Sequence, residues 1–399
     1  MGAGQPNNMS KVKNPMALTL TAFSSLGMVG LYHTILGTAL PAIRSSLQLD
    51  ISQAGYLGSS AWLGFAVAIF AGGALSDVMR SQRVLMAACW MIGLNALLFG
   101  LWTTFLFNCL FIGMVGAGTG MIVSSSSALV LELFPGKEGR IINFHHSFYA
   151  LGAIAGPILM ANVLAQTGDW QWVYQGGGLF MLVIGGLFAV LSSHDPMKRK
   201  TWDSRSFLLL FREKTMILLI LIIFLSVGSQ NGIYFWLVSF LKEVRSFPIF
   251  WAGLGLSLFS IGMGIGRLLS GWIVSKIGIT TVLFFLLLLL MGSLFFLLRI
   301  TAGPWIWVSC FMAGVGCSGL FPGLLTLGGI HFPHLSGTAI GILGTAAGIG
   351  STFMPWSMSW ISQASTLKRG FSFVFFSVLL TFILLSFSFR RFRLMEKAT

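Results

Sequence analysis

Charged side chains are scarce in this chain of 399 residues, in which Asp, Glu, Lys and Arg together make up only 9%. Soluble proteins carry about 25% charged residues, so the composition excludes a globular protein that faces water on all sides. Acidic residues are fewer than basic ones, with ten in the chain, and none of them lies in the middle of an apolar stretch. Only Asp77 and Glu132 come near one, at its border.

Cysteine is rarer still. Cys89, Cys109, Cys310 and Cys317 lie in apolar stretches without the spacing of metal ligands, so we expect them to be packing residues. The sequence also lacks a phosphate-binding loop, a catalytic triad and a metal-binding cluster. These absences predict a protein that is not an enzyme, that needs no cofactor or metal, and that does not use ATP directly.

Hydrophobic residues, by contrast, make up 56% of the sequence, with 36 Phe and 13 Trp. They form twelve stretches, each near or above the roughly 20 residues that cross a bilayer. Their approximate edges are 16–41, 51–75, 84–105, 107–132, 141–165, 172–193, 214–241, 249–274, 279–298, 303–329, 337–362 and 370–389. The sequence therefore predicts an all-α membrane protein with twelve transmembrane helices.

An internal repeat organises these stretches. Glycines and prolines of the first half recur in the second half at a constant offset of 198 residues. The pairs are Gly73 and Gly271, Gly116 and Gly314, Gly118 and Gly316, Gly139 and Gly337, Gly152 and Gly350, Pro157 and Pro355, and Phe134-Pro135 and Phe332-Pro333. One register throughout indicates a duplicated unit, which in an apolar chain predicts a transporter whose pathway lies between two pseudo-symmetric six-helix bundles. We expect an N-terminal bundle at 1–193, a charged cytoplasmic linker at 194–213 and a C-terminal bundle at 214–399.

The basic residues that produce the net charge of +14 are distributed as this topology predicts. With the N-terminus in the cytoplasm, seventeen of the 24 Lys and Arg fall on the inner side of the predicted helices, six fall outside, and Arg267 lies within a span. This is the positive-inside bias, so the basic excess predicts orientation in a bilayer and not a nucleic-acid partner. We expect a multi-pass monomer of the plasma membrane, which is the inner membrane in a prokaryote, with both termini cytoplasmic.

The loop after the second stretch carries a recognisable motif. It reads Gly73-Ala74-Leu75-Ser76-Asp77-Val78-Met79-Arg80-Ser81-Gln82-Arg83. A Gly, an Asp four residues later and then basic residues resemble the signature loop of the major facilitator superfamily, with Val78 and Ser81 in place of the usual Arg and Gly. The second copy, from Gly271 to Gly278, keeps both glycines but has Ser275 where Asp is usual.

The resemblance implies a charged gate on the inner side. Glu132-Leu133-Phe134-Pro135, followed by Arg140, is similar to the inner loop of the same superfamily. Opposite charges there would pair when the inside is closed and separate when it opens. The gate would consist of Asp77, Arg80, Arg83, Glu132 and Arg140. The alternative is that these charges only mark helix ends.

The fifth stretch indicates a branch of the superfamily. Its run from Asn143 through Pro157 resembles the fucose and glucose/galactose permeases, which implies a sugar-like substrate and proton symport. Gly156-Pro157 also partly matches the glycine-proline motif of drug antiporters, so an exporter of an amphipathic compound, including siderophore-like acids, remains the alternative.

Proton coupling has few candidates, because ionisable groups are almost absent from the spans. We name His33, His146 and Glu132, since histidine titrates near neutral pH and Glu132 lies at a helix end. A neutral histidine bonded to a nearby carbonyl is the competing interpretation.

Polar and aromatic residues within the spans are the candidates for substrate binding. Arg267 keeps its charge, so it either binds an anionic group or fixes its helix in one state. Amides suit a hydroxyl-rich ligand and an aromatic face suits a sugar ring. The candidates are His33, Tyr32, Tyr149, Gln230, Asn231, Tyr234 and Arg267, with Trp62, Cys317, Ser318 and Phe321 as weaker ones.

The sequence predicts a secondary active or facilitative transporter of a small polar metabolite that works by rocking alternating access. A membrane sensor on the same scaffold is the remaining hypothesis, and the degenerate second signature loop is its only support.

Overall fold

The computed structural model describes residues 14–134, 138–191, 210, 212–299 and 303–398. Within these ranges every regular element is helical and no strand occurs. The helices are α1 (Pro15–Ser46), α2 (Ile51–Val78), α3 (Ser81–Leu98), α4 (Phe105–Leu133), α5 (Glu138–Thr167), α6 (Gln171–Val190), α7 (Lys214–Ser239), α8 (Ile249–Ile277), α9 (Ile279–Arg299), α10 (Trp305–Cys317), α11 (Leu320–His331), α12 (Ser336–Ala364) and α13 (Leu367–Ala398). A π-helical turn, Phe240–Val244, continues α7, and a short 3-10 helix, Pro333–Leu335, precedes α12.

Each of the twelve apolar stretches corresponds to helix, which confirms the predicted fold class. In the described residues, eleven helical spans are long and apolar enough to cross a membrane. The stretch 337–362 is not among them, although it forms the 29-residue α12. The sequence of α12 is rich in Gly, Ser and Thr and contains Pro355, which lowers its apolarity without preventing a helix.

The tenth stretch differs from its prediction, because its helix is interrupted between α10 and α11. The physical reason is Pro322, which has no N–H to donate to the carbonyl of Ser318 four residues earlier. The corresponding residue of the first repeat is Ser124, whose hydroxyl donates to the carbonyl of Gly120 at 3.3 Å. Accordingly α4 runs unbroken from Phe105 to Leu133.

The chain divides into two compact units. The first comprises residues 1–48 and 60–200, and the second comprises residues 49–59 and 201–399. The start of α2 thus belongs to the second unit, where the Ser59 hydroxyl donates to the Thr352 carbonyl at 2.8 Å. The predicted linker lies largely outside the described residues, so the domain boundaries at 193 and 214 stay predictions.

Close helix crossings recur in both units at the predicted offset. A Cβ at Gly64 would meet the carbonyl of Gly113, and a Cβ at Gly262 would meet that of Phe311. Two further crossings repeat in the same way: Gly116 against Ala61 matches Gly314 against Phe259, and Gly118 against Ile92 matches Gly316 against Leu290. In each case both partners are 198 residues from their counterparts. The duplication seen in the sequence is therefore a duplication of helix packing.

The last helix is longer than predicted, and its extension contacts the start of α9. It continues from Leu367 to Ala398, and the Glu396 carboxylate accepts hydrogen bonds from the backbone amides of Ile279 and Thr280 at the start of α9. Those amides have no partner inside their own helix, so an acid there satisfies donors that would otherwise be orphaned. Phe392, which is fully buried, packs edge-on against His331 with ring centroids 5.1 Å apart.

Candidate functional site

His33 is the centre of a polar cluster in the first unit. It lies midway along α1, and its side chain is half-buried. Its Nδ1 is 3.1 Å from the Tyr149 hydroxyl on α5, and its Nε2 is 3.2 Å from the Thr119 hydroxyl on α4. The close approach of α1 and α5 depends on Gly30, because a Cβ there would meet the backbone of Tyr149. Three helices thus meet at one imidazole.

The partners of His33 determine where its proton lies. The Thr119 hydroxyl donates to the Gly116 carbonyl at 2.7 Å, so toward His33 the Thr119 oxygen acts as an acceptor. Nε2 of a neutral His33 then carries the hydrogen and donates it to Thr119. Nδ1 is left as an acceptor, and the Tyr149 hydroxyl donates to it. This assignment, which rests on the hydrogen-bond partners, favours the tautomer that carries its hydrogen on Nε2.

Aromatic rings from α2 enclose the same imidazole. The ring centroids of Trp62 and Phe65 are 4.9 and 5.2 Å from that of His33, and the two aromatic rings are 5.5 Å from each other. These neighbours provide an apolar wall and no charge. A protonated His33 in this position would be stabilised by hydroxyl oxygens and π-electrons in place of a carboxylate.

Tyr32 faces away from the His33 cluster, because adjacent residues on a helix point about 100° apart. It packs toward α6, with its ring 6.0 Å from that of Tyr174. Both phenolic oxygens are buried without a hydrogen-bond partner among the described residues. The structure therefore does not bring Tyr32 together with the other candidates of the first unit.

The two adjacent histidines of α5 have different surroundings. His145 is fully buried, and its ring centroid is 5.2 Å from that of Phe23. His146 is half-buried, with its ring 5.5 Å from that of His145. His145 occupies a packing position, and the coupling role of His146 stays a prediction.

The second unit places two amides side by side on α7. Asn231 donates from Nδ2 to the Ser351 hydroxyl of α12 at 2.7 Å, and that hydroxyl donates to the Ala347 carbonyl at 2.7 Å. Gln230 is 8% exposed, and its Oε1 is buried without a hydrogen-bond partner. Asn231 is thus committed to helix packing, whereas Gln230 retains an acceptor.

Tyr234 and Arg267 meet at one methionine. The Tyr234 hydroxyl donates to the sulfur of Met263 at 3.6 Å, and Nη2 of Arg267 lies 3.9 Å from the same sulfur. Nε of Arg267 donates to the Ser318 carbonyl at 3.3 Å, at the break between α10 and α11. Gln230 lies one turn before Tyr234 on α7, so the two side chains project from the same face of that helix.

The predicted inner gate is only partly visible. The Ser81 hydroxyl at the start of α3 donates to Oε1 of Glu132 near the end of α4, at 3.5 Å. Arg80 is half-buried and Arg83 is exposed. The side chains of Asp77 and Arg140 lie outside the described part of the chain, so the charged network stays a prediction. Among the described residues, no three His, Cys, Asp or Glu are grouped to hold a metal ion.

Three residues of these clusters were not predicted from the sequence: Thr119, Met263 and Ser351. Thr119 follows Gly116 by one turn within a glycine-rich run, and Met263 precedes Arg267 by one turn. Helical spacing was therefore a usable signal for both. Ser351 lies among many small residues of α12, where spacing alone does not distinguish it.

The apolar helices are long enough to span a membrane, and their packing contacts repeat at one constant offset along the chain. These two features define a multi-pass membrane protein with the architecture of a transporter. The chain belongs to the Major Facilitator Superfamily, whose family profile matches residues 22–355. This membership confirms the resemblance inferred from the signature loop.

Known proteins show the same relationship. A protein from Serratia proteamaculans named Protein TsgA homolog is 22% identical over 357 residues, which covers 85% of this chain and 86% of that protein. The crystal structure of a bacterial homolog of the human lysosomal transporter Spinster superimposes with a TM-score of 0.79 at 13% identity, over 98% of this chain and 99% of that chain. A variant of the E. coli fucose:proton symporter FucP gives a TM-score of 0.62 at 16% identity, over 94% and 99% of the two chains. At these identities the structural likeness shows the fold alone.

Proposed function

We propose that this protein is a proton-coupled transporter of a small, hydroxyl-bearing polar metabolite, that it works by alternating access, and that His33 carries the coupling proton. The observation that supports the proposal most directly is the imidazole held between the hydroxyls of Tyr149 and Thr119. Seventeen of the 24 basic residues fall on one side of the predicted topology, which supports cytoplasmic termini.

Protonation of His33 would change its partners in a defined way. With both ring nitrogens protonated, Nδ1 becomes a donor, and the Tyr149 hydroxyl must turn to accept from it. Thr119 already accepts from Nε2 and keeps its role. Protonation of His33 on α1 would thereby rotate the Tyr149 hydroxyl on α5, while Thr119 on α4 holds the imidazole in place. A proton taken up here would favour a different set of α1–α5 contacts, as coupling requires.

The acceptor on Gln230 supports a hydroxylated cargo. A buried amide oxygen without a partner is costly, about 1–3 kcal/mol, and a ligand hydroxyl would remove that cost. Tyr234 is one turn further along α7, with its ring 5.0 Å from that of Phe259, and an aromatic ring suits the apolar face of a sugar. The name of the fucose:proton symporter, which shares the fold, supports the same class of cargo and the same coupling ion.

Transport into proteoliposomes tests the proposal. Purified full-length protein would be screened with labelled sugars, nucleosides and amino acids, with and without an imposed pH gradient. We expect a cargo to accumulate above its equilibrium level in wild type when protons flow down their gradient. His33→Gln should lose accumulation and retain counterflow, because it removes the titratable group and keeps a hydrogen-bonding side chain.

The matched control is His331→Gln in α11, where the histidine Nδ1 is 2.9 Å from the carbonyl of Leu327 in its own helix. This variant should accumulate cargo like wild type. Unchanged accumulation in His33→Gln would contradict the role of His33. If no solute crosses at saturable rates, the protein is not a transporter and the sensor hypothesis takes its place. If cargo accumulates in the vesicles only when protons flow out of them, the protein exchanges cargo for protons, as an exporter of amphipathic compounds would.

A further inference from the structure

The guanidinium of Arg267 is a positive charge within a membrane-spanning helix, and the described residues give it no anionic partner. No acidic side chain among them lies in salt-bridge range of Arg267. Its contacts in that part of the chain are the Ser318 carbonyl at 3.3 Å and the Met263 sulfur at 3.9 Å. Both are neutral and both are long, so most of the N–H groups of the guanidinium remain without an acceptor.

The position of this charge is fixed by the break in the tenth span. Pro322 removes the N–H that would have bonded the carbonyl of Ser318, and Arg267 donates to that carbonyl instead. In the first repeat, the residue at the position of Arg267 is Ile69, and the residue at the position of Pro322 is Ser124. The carbonyl that lacks its helical donor and the arginine that contacts it thus occur together in one repeat and are both absent from the other.

One edge of the guanidinium remains open to a ligand. Arg267 is exposed, although Met263 one turn earlier is only 4% exposed. The same group of side chains includes Tyr234 and, one turn away, Gln230 with its free acceptor. Arginine can hold a carboxylate or phosphate through two parallel hydrogen bonds, which a neutral carbonyl does not reproduce.

We propose that Arg267 binds an anionic group of the transported molecule, a carboxylate or a phosphate, while Gln230 and Tyr234 contact its hydroxyl-bearing part. This inference rests on the proposed function and narrows its cargo to hydroxylated acids or phosphorylated compounds. The bound anion would supply the negative charge that the described residues do not provide for Arg267. The Ser318 carbonyl contact orients the guanidinium before the ligand arrives, which lowers the cost of ordering it on binding.

Ligand-dependent thermal unfolding of the purified full-length chain tests this assignment, because a ligand that binds the native state raises the midpoint temperature. The probes are matched pairs that differ in charge: gluconate against sorbitol, and glucose 6-phosphate against glucose, with acetate and inorganic phosphate as minimal anions. Ionic strength is held constant with sodium chloride. We expect at least one anion to raise the midpoint of wild type in a saturable manner, and its neutral counterpart to do so less.

Arg267→Gln should weaken the apparent affinity for that anion at least tenfold. Arg267→Lys, which keeps the charge and loses the forked geometry, should fall between the two; if Arg267→Gln does not fold, a threefold or greater loss in Arg267→Lys carries the same test. The control is Arg245→Gln, since Nη2 of Arg245 donates to the Leu297 carbonyl at 2.7 Å in the same unit. It should bind the anion like wild type.

Two results would overturn the assignment: no anion stabilises wild type, or an anion stabilises wild type and Arg267→Gln equally. Stabilisation of both proteins by the neutral members of the pairs would remove the anionic cargo and leave the transport of a neutral metabolite standing. The proposed function itself fails only in the proteoliposome assay, when no solute crosses.

Discussion

His33 and Asn231 occupy the same position in the two repeats, 198 residues apart, and each bonds a hydroxyl whose own proton is already committed. Thr119 donates to Gly116, and Ser351 donates to Ala347, so both hydroxyl oxygens accept from the side chain on the first helix of their unit. The two donors are thus equivalent in the repeat, whereas their acceptors are not, because Thr119 lies on α4 and Ser351 lies on α12, the counterpart of α5. Only the histidine can change its charge near neutral pH.

Replacing Thr119 tests the acceptor for His33. In Thr119→Val the side chain keeps its shape and loses its oxygen, so Nε2–H of His33 is left without that acceptor. We expect a cost of about 1–3 kcal/mol for the unsatisfied donor, with a larger penalty for the charged ring. Gradient-driven accumulation should fall while counterflow persists. Thr119→Ser restores the oxygen and should restore accumulation; if Val and Ser variants behave alike, the hydrogen bond has no part in coupling.

A double-mutant cycle measures how much the hydrogen bond between Asn231 and Ser351 contributes to stability. We expect Asn231→Ala and Ser351→Ala each to lower the midpoint of thermal unfolding, and the double variant to lose less than the two singles combined. Interhelical hydrogen bonds in membranes couple by about 0.6 kcal/mol on average, so the interaction energy should be of that order. Strict additivity would show that the 2.7 Å contact contributes nothing to stability.

Two glycines of α8 make a matched pair for the helix crossings. In Gly262→Ala the new methyl would meet the carbonyl of Phe311, whereas in Gly264→Ala nothing lies within 4 Å. We expect Gly262→Ala to destabilise by about 1–3 kcal/mol through overpacking. Gly264→Ala should be neutral or stabilising by about 0.5–1 kcal/mol, because alanine favours the helix. Thermal unfolding in detergent measures both, and equal midpoints would contradict the crossing. Gly64→Ala should reproduce the larger effect in the first unit.

The contact between Glu396 and the start of α9 predicts a local effect on backbone protection. Glu396→Ala removes the acceptor for the amides of Ile279 and Thr280, and loss of a helix cap costs about 0.5–2 kcal/mol. Hydrogen exchange at these two amides should accelerate, with little change in the middle of α9. Arg390→Gln, at an exposed position of the same helix, is the control. Unaltered exchange in Glu396→Ala would show that the carboxylate does not cap α9.

The fold was predictable because two independent patterns in the sequence agree. Apolar length sets the number of spans, and the glycine register sets where helices of one unit approach each other. Gly116 and Gly314 were identified from their spacing alone, and the structure places each against a backbone carbonyl of the second helix of its unit. A helix crossing needs glycine because the two backbones approach too closely for a larger side chain. The glycine therefore occurs in both repeats even where the residues around it differ.

The candidate site was less predictable, because a hydrogen bond between helices depends on the rotation and depth of both. The spacing of His33 gives its face of α1 but not its partner, and Thr119 is identified only once α4 is in place. Tyr32 and His33 are adjacent in sequence and point to different helices. The break at Ser318 also escaped prediction, since a proline is compatible with a membrane helix whenever a neighbour replaces the missing donor. Here that neighbour is Arg267.

The interruption between α10 and α11 makes the two copies mechanically unequal. An unbroken helix transmits force along its length, whereas a helix held together at one point by a side chain from elsewhere bends there first. At this position the second unit therefore has a helix break that the first unit lacks, and Pro322 in place of Ser124 marks the difference. A duplicated protein can in this way gain a point of bending in one copy while the glycine crossings of both copies stay the same.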